Sequence, residues 1–88
     1  MVRKRVLISG RVQGVFFRDP CRRVAVEYGV RGWVRNLDDG RVEAVLEGPA
    51  ERVDRVVAWA HQGPSHAEVT DVAIQAEQPE GLTGFVVR

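Results

Sequence analysis

The feature that most constrains this chain is a switch of its apolar periodicity from two residues to about 3.6 and back, made twice within 88 residues. Val2, Lys4, Val6 and Ile8 share one face of a period-two segment while Arg3, Arg5, Leu7 and Ser9 share the other, which predicts a strand over residues 2 to 10. A glycine-punctuated stretch from Gly10 to Arg18 follows. Cys21, Val24, Ala25 and Tyr28 then recur at helical spacing, with Pro20 acceptable only in the first turn and Gly29 as the stop.

The switch repeats in the second half. Residues 30 to 37 are rich in β-branched and aromatic types, residues 41 to 47 alternate, and Asp38-Asp39-Gly40 between them is a hairpin signal. Pro49 opens a second helix whose apolar stripe is Val53, Val56, Val57 and Ala60, and Gly63-Pro64 closes it. Val69 to Ala76 reads as another strand and Gly84 to Arg88 as a short last one. The order strand, helix, strand, strand, helix, strand, with one strand added, predicts an α+β fold of the ferredoxin-like, split βαβ type. Its antiparallel sheet carries both helices on one face.

Scarcity narrows the chemistry. The one cysteine, Cys21, excludes an intramolecular disulfide framework and suits a reducing, cytoplasmic compartment. His61 and His66 form no zinc spacing with it and are expected at the surface, and Ser9 and Ser65 lack an adjacent base. No apolar run approaches the roughly 20 residues that span a bilayer. The 12 arginines against a single lysine, Lys4, carry nearly all the positive charge. Genome composition accounts for such a bias without any function, so a functional arginine has to be chosen by its position.

Position favours Arg18. Gly14 allows successive main-chain N–H groups to turn inward as an anion-binding nest, and the helix that follows adds its free N-terminal amides and partial positive charge. Arg18 stands at that junction, where its guanidinium closes over the same anion. A plain strand-to-helix turn with one solvated arginine explains the spacing equally, and neither dinucleotide nor P-loop fingerprint is present.

Gly10-Arg11-Val12-Gln13-Gly14-Val15-Phe16-Phe17-Arg18 resembles the Gly-x-Val-Gln-Gly-Val-x-Phe-Arg signature of the acylphosphatase family. Gly32-Trp33-Val34-Arg35-Asn36-Leu37-Asp38-Asp39-Gly40-Arg41-Val42-Glu43 is similar to its second block, and Gly48-Pro49 and Gly63-Pro64 agree as well. The resemblance covers the whole chain and implies one domain over residues 1–88. It implies that the amides of Gly14, Val15, Phe16, Phe17 and Arg18, with the Arg18 guanidinium, bind a phosphoryl group, and that Asn36 holds the attacking water. The implied reaction is hydrolysis of a small-molecule acyl phosphate to a carboxylate and inorganic phosphate, with no metal, cofactor or covalent intermediate. Inorganic phosphate or sulfate would compete. A cytoplasmic monomer without nucleic-acid or membrane partners is expected.

The chemistry is compatible with so few groups. Phosphoryl transfer asks mainly for positioning and charge stabilisation, and a carboxylate leaves without a proton donor. Asn36, the only asparagine, can orient water without acting as a base, although on spacing alone a turn role in the hairpin suits it better. Asp19 follows Arg18 directly and is expected to point outward. Two other classes stay open: a non-catalytic anion sensor built on the same loop, and an RNA binder suggested by Arg3, Arg5, Arg11 and the Phe16-Phe17 pair. The net charge of +1 weakens the second.

Overall fold

Both helical stripes and every strand expected from the periodicity are present in the computed structural model, which describes residues 1–88. In chain order the elements are β1 (Val2–Arg11), α1 (Arg18–Glu27), β2 (Arg31–Asn36), β3 (Val42–Gly48), α2 (Ala50–Gln62), β4 (Glu68–Glu77) and β5 (Phe85–Val87). They form one five-stranded sheet in the order β4-β1-β3-β2-β5, with both helices on one face. Of the α1 stripe Cys21 and Ala25 are fully buried, with Val24 and Tyr28 packed at the core margin. All four stripe residues of α2 are buried. They meet Val6 and Ile8 of β1, Val34 of β2 and Val42, Ala44 and Leu46 of β3. Each such aliphatic side chain contributes about 1.5 to 3 kcal/mol on burial.

The sheet departs from the antiparallel expectation at one edge. The first four strands pair antiparallel, but β5 runs parallel to β2, with Gly32 opposite Phe85 and Val34 opposite Val87. The reason is the route of the chain. β4 ends beside the start of β1, and the segment from Gln78 to Gly84 crosses under that end of the sheet to reach the opposite edge. It arrives at the start of β2 and can only run the same way. The C-terminal ends of β1, β2 and β5 therefore lie together at the other end of the sheet.

Gln78 to Gly84 is held in its crossing by Glu47, the penultimate residue of β3. Its carboxylate accepts the main-chain N–H groups of Glu80 (2.9 Å), Gly81 (3.1 Å) and Leu82 (3.1 Å), and the Arg3 guanidinium at 2.8 Å. Burial pushes the Glu47 carboxyl up, but Arg3 and the amides of Glu80 and Leu82 together outweigh it and hold it at about 2.

The face without helices is not simply the polar face that the alternation of β1 implies. Arg3 is only 6% exposed and Trp33 only 8%. Arg3 also donates to Glu77 (2.9 Å), Arg5 to Glu43 and Glu77 (both 2.7 Å), and Arg35 to Glu43 (2.6 Å). The guanidinium carbons of Arg88, Arg35 and Arg5 stand 4.4, 5.3 and 5.7 Å from the Trp33 ring centre. Planar, fork-shaped guanidinium groups suit both roles, bridging carboxylates and stacking on indole, and lysine would satisfy neither in the same way. Four of the twelve arginines thus have a structural reason here beyond base composition. No buried side-chain nitrogen or oxygen lacks a partner.

Gly10 fixes where β1 stops being an ordinary strand. The register with β4 shifts between Ser9 and Gly10, and Gly10 takes φ 118°. A β-carbon there would sit 2.1 Å from the Glu68 carbonyl oxygen, so only glycine allows the two strands to approach at the mouth of the following loop.

Candidate active site

The loop from Val12 to Phe17 is anchored by three of its side chains. Val12, Val15 and Phe17 are 1%, 6% and 2% exposed, and the Phe17 ring packs on Trp59 of α2 at 5.2 Å between centres. Gly14 and Phe16 lie between them and both take left-handed backbone, φ 73° and 56°. Left-handed residues alternating with ordinary ones curl a chain so that its N–H groups face one point, the geometry of an anion nest. For Gly14 this costs nothing, but for Phe16 it is strained by roughly 1 to 3 kcal/mol.

Nothing in the main chain uses the donors this curl gathers. None of the N–H groups from Gly14 to Asp19 donates to a main-chain oxygen, and the first helical bond of α1 is Cys21 N–H to Phe17 O at 3.1 Å. The helix begins without a side-chain cap, so its N-terminal partial charge adds to the same spot. Pro20 removes an N–H that would have had no partner within the helix.

Around this loop lies a pocket of about 310 Å³. Gly14, Phe16, Phe17 and Arg18 line it together with Asn36 from the end of β2 and Val87 from β5, whereas Val15 turns its side chain into the core. Arg18 and Asn36, 18 residues apart in sequence, thus share one cavity. Arg18 donates one N–H through Nη1 to the oxygen of Arg88, the last residue of the sequence, at 3.0 Å, and no Asp or Glu side chain pairs with it. Four of its five donors stay uncommitted. The carboxylate of Asp19 is exposed and lies 3.8 Å from Arg23 one turn on, outward as expected, although the residue also forms part of the pocket wall.

Two contributors were not apparent from residue type. Gln13 donates both hydrogens of its Nε2 across to the hairpin, to Leu37 O at 2.7 Å and Arg41 O at 2.9 Å. The hairpin is closed by Leu37 N–H to Arg41 O at 2.8 Å and by Asp39 on Arg41, so Gln13 ties the nest to a stiff unit that carries Asn36. The glutamine of the first motif block was the available signal. The second contributor is β5, whose parallel run delivers Val87 to the pocket wall and brings the Arg88 oxygen to Arg18.

The other candidates are dispersed. Cys21 is buried and burial pushes its thiol up to about 12, so it is not a thiolate nucleophile at neutral pH. His61 Nδ1 lies 3.0 Å from the carbonyl oxygen of Val57 in its own helix, and both histidines are exposed. The Phe16-Phe17 pair is split, one ring in solvent and one in the core, so it presents no double stacking platform. No helix is long and apolar enough to cross a membrane.

Comparison with known proteins agrees with this geometry. The model of the family described as Acylphosphatase matches residues 4–87. An acylphosphatase of Haloquadratum walsbyi is 56% identical over 98% of this chain and 92% of its own length. One of Thermococcus kodakarensis is 58% identical over 98% of this chain and 94% of its own. The crystal structure of acylphosphatase from Bacillus subtilis superposes with a TM-score of 0.97 at 36% identity, covering 100% of this chain and 99% of that one.

Proposed function

The chain belongs to the acylphosphatase family, and from this premise we propose that it hydrolyses acyl phosphates to a carboxylate and inorganic phosphate at the Gly14–Arg18 loop, without a metal ion. In this reading the loop amides and the Arg18 guanidinium hold the phosphoryl oxygens, and Asn36 orients the water that attacks phosphorus from the side opposite the leaving carboxylate. The observation that carries the assignment of residues is the run of main-chain donors from Gly14 to Asp19 with no main-chain acceptor, gathered beside a guanidinium with which no Asp or Glu side chain pairs.

The division of labour follows from the chemistry. Negative charge on the phosphoryl oxygens during transfer is met by fixed dipoles and one permanent cation, which need no reorganisation as the reaction proceeds. The leaving carboxylate is a weak base and departs unprotonated, so no general acid is needed. The Asn36 amide accepts one hydrogen bond from water and donates another, and Gln13 keeps the distance between that amide and the nest constant. The proton of the attacking water passes to a phosphoryl oxygen of the substrate itself.

The test is release of phosphate from benzoyl phosphate with excess chelator present. Turnover undiminished by chelator and inhibited competitively by phosphate or sulfate is expected. Saturable phosphate binding with no turnover of any acyl phosphate would replace the hydrolase by an anion sensor.

A further inference from the structure

The Phe16 side chain is the one part of the loop that neither the core nor the phosphoryl site employs. It is 85% exposed on a residue at φ 56°. A single exposed apolar residue is ordinary, and the left-handed backbone is explained by the nest. An aromatic residue in that backbone is not explained by either. Glycine or asparagine would give the same curl with less strain and no apolar surface in water. Phe16 forms part of the pocket wall, and Val87, 37% exposed, lines the same pocket from β5.

The pocket is also larger than a phosphoryl group requires. Its volume of about 310 Å³ lies near the lower end of small-molecule sites, about 300 to 1,000 Å³. The charged residues in its wall are Arg18 and Asp19. The Asp19 carboxylate turns outward toward Arg23, so once Arg18 is engaged by the phosphoryl group the wall offers an acyl group no cation.

We infer that Phe16 and Val87 form an acyl-binding rim beside the phosphoryl nest, which favours acyl phosphates whose acyl group is uncharged and aromatic or branched. This rests on the acyl phosphate hydrolase reading and adds to it the substrate class, which the phosphoryl motif alone does not specify.

The experiment compares kcat/KM for benzoyl, acetyl and succinyl phosphate in the wild type, Phe16→Asn and Val87→Thr. Using ratios between substrates on one variant cancels any change in phosphoryl binding, and comparing those ratios between variants cancels the intrinsic reactivity of each substrate. Asparagine tolerates the backbone of residue 16, and threonine keeps the β-branched shape needed in β5. The benzoyl-to-acetyl ratio should fall about five- to tenfold in Phe16→Asn and about threefold in Val87→Thr. The benzoyl-to-succinyl ratio should fall in both variants as well. Ratios unchanged in both rim variants, with acetyl phosphate still hydrolysed, would overturn the acyl rim and leave the hydrolase intact. Failure of the wild type to hydrolyse any of the three would overturn both.

Discussion

Arginine does opposite work in two regions of this molecule. On the helix-free face of the sheet Arg3, Arg5 and Arg35 are each matched by glutamate carboxylates at 2.6 to 2.9 Å, and the charges cancel within the structure. At the far end of the sheet Arg18 meets only the main-chain oxygen of Arg88, beside amides with no main-chain acceptor. In the first region glutamates answer the guanidinium groups, and in the second no acidic side chain does. Residue type does not separate structural from functional arginines here. The supply of partners does.

Breaking the second region should cost activity and spare the fold. Arg18→Ala is expected to lower kcat/KM by about 10⁴-fold, the scale of removing a guanidinium from a phosphoryl-transfer site. Its urea midpoint should stay close to wild type, because the side chain makes a single exposed hydrogen bond. Asn36→Ala should lower kcat by about 10² to 10³-fold with KM little changed, since the phosphoryl contacts remain. A steady-state series on both variants measures the split.

Breaking the first region should do the reverse. Glu47→Gln leaves the buried Arg3 charge undercompensated and loosens the crossing from Gln78 to Gly84, with an expected loss of about 3 to 5 kcal/mol in chemical denaturation. Acid sharpens the same point. The Glu47 carboxyl is held at about 2, below its ordinary 4.5, so the stability it contributes is fully present above 4.5 and is lost as pH falls toward 2. A denaturation series across that window should show a decline that Glu47→Gln lacks in large part. The smallest effect is expected at the exposed Asp39–Arg41 pair, where Asp39→Ala should leave the midpoint unmoved within error.

The two regions were not equally legible in the sequence. Helices, hairpin and core stripes follow from local periodicity, because each stripe needs only its own residues to declare a face. The two motif blocks likewise point to the loop and to Asn36. The completed face does not declare itself, since alternation in β1 assigns Arg3 and Arg5 to a polar side. Their burial depends on glutamates supplied by β3 and β4, more than 35 residues away. The parallel course of β5 depends on a crossing segment with no periodicity. The left-handed Phe16 was hidden because only glycine and asparagine signal that backbone by type.

The most direct measurement is a phosphate titration followed by amide chemical shifts of the whole chain. The account predicts saturable shifts concentrated at Gly14 to Asp19, with the Arg18 side chain moving in step and the amides beside Arg3 and Arg5 unaffected. Shifts centred on the arginine-rich sheet face, or none at the loop under saturating phosphate, would contradict it.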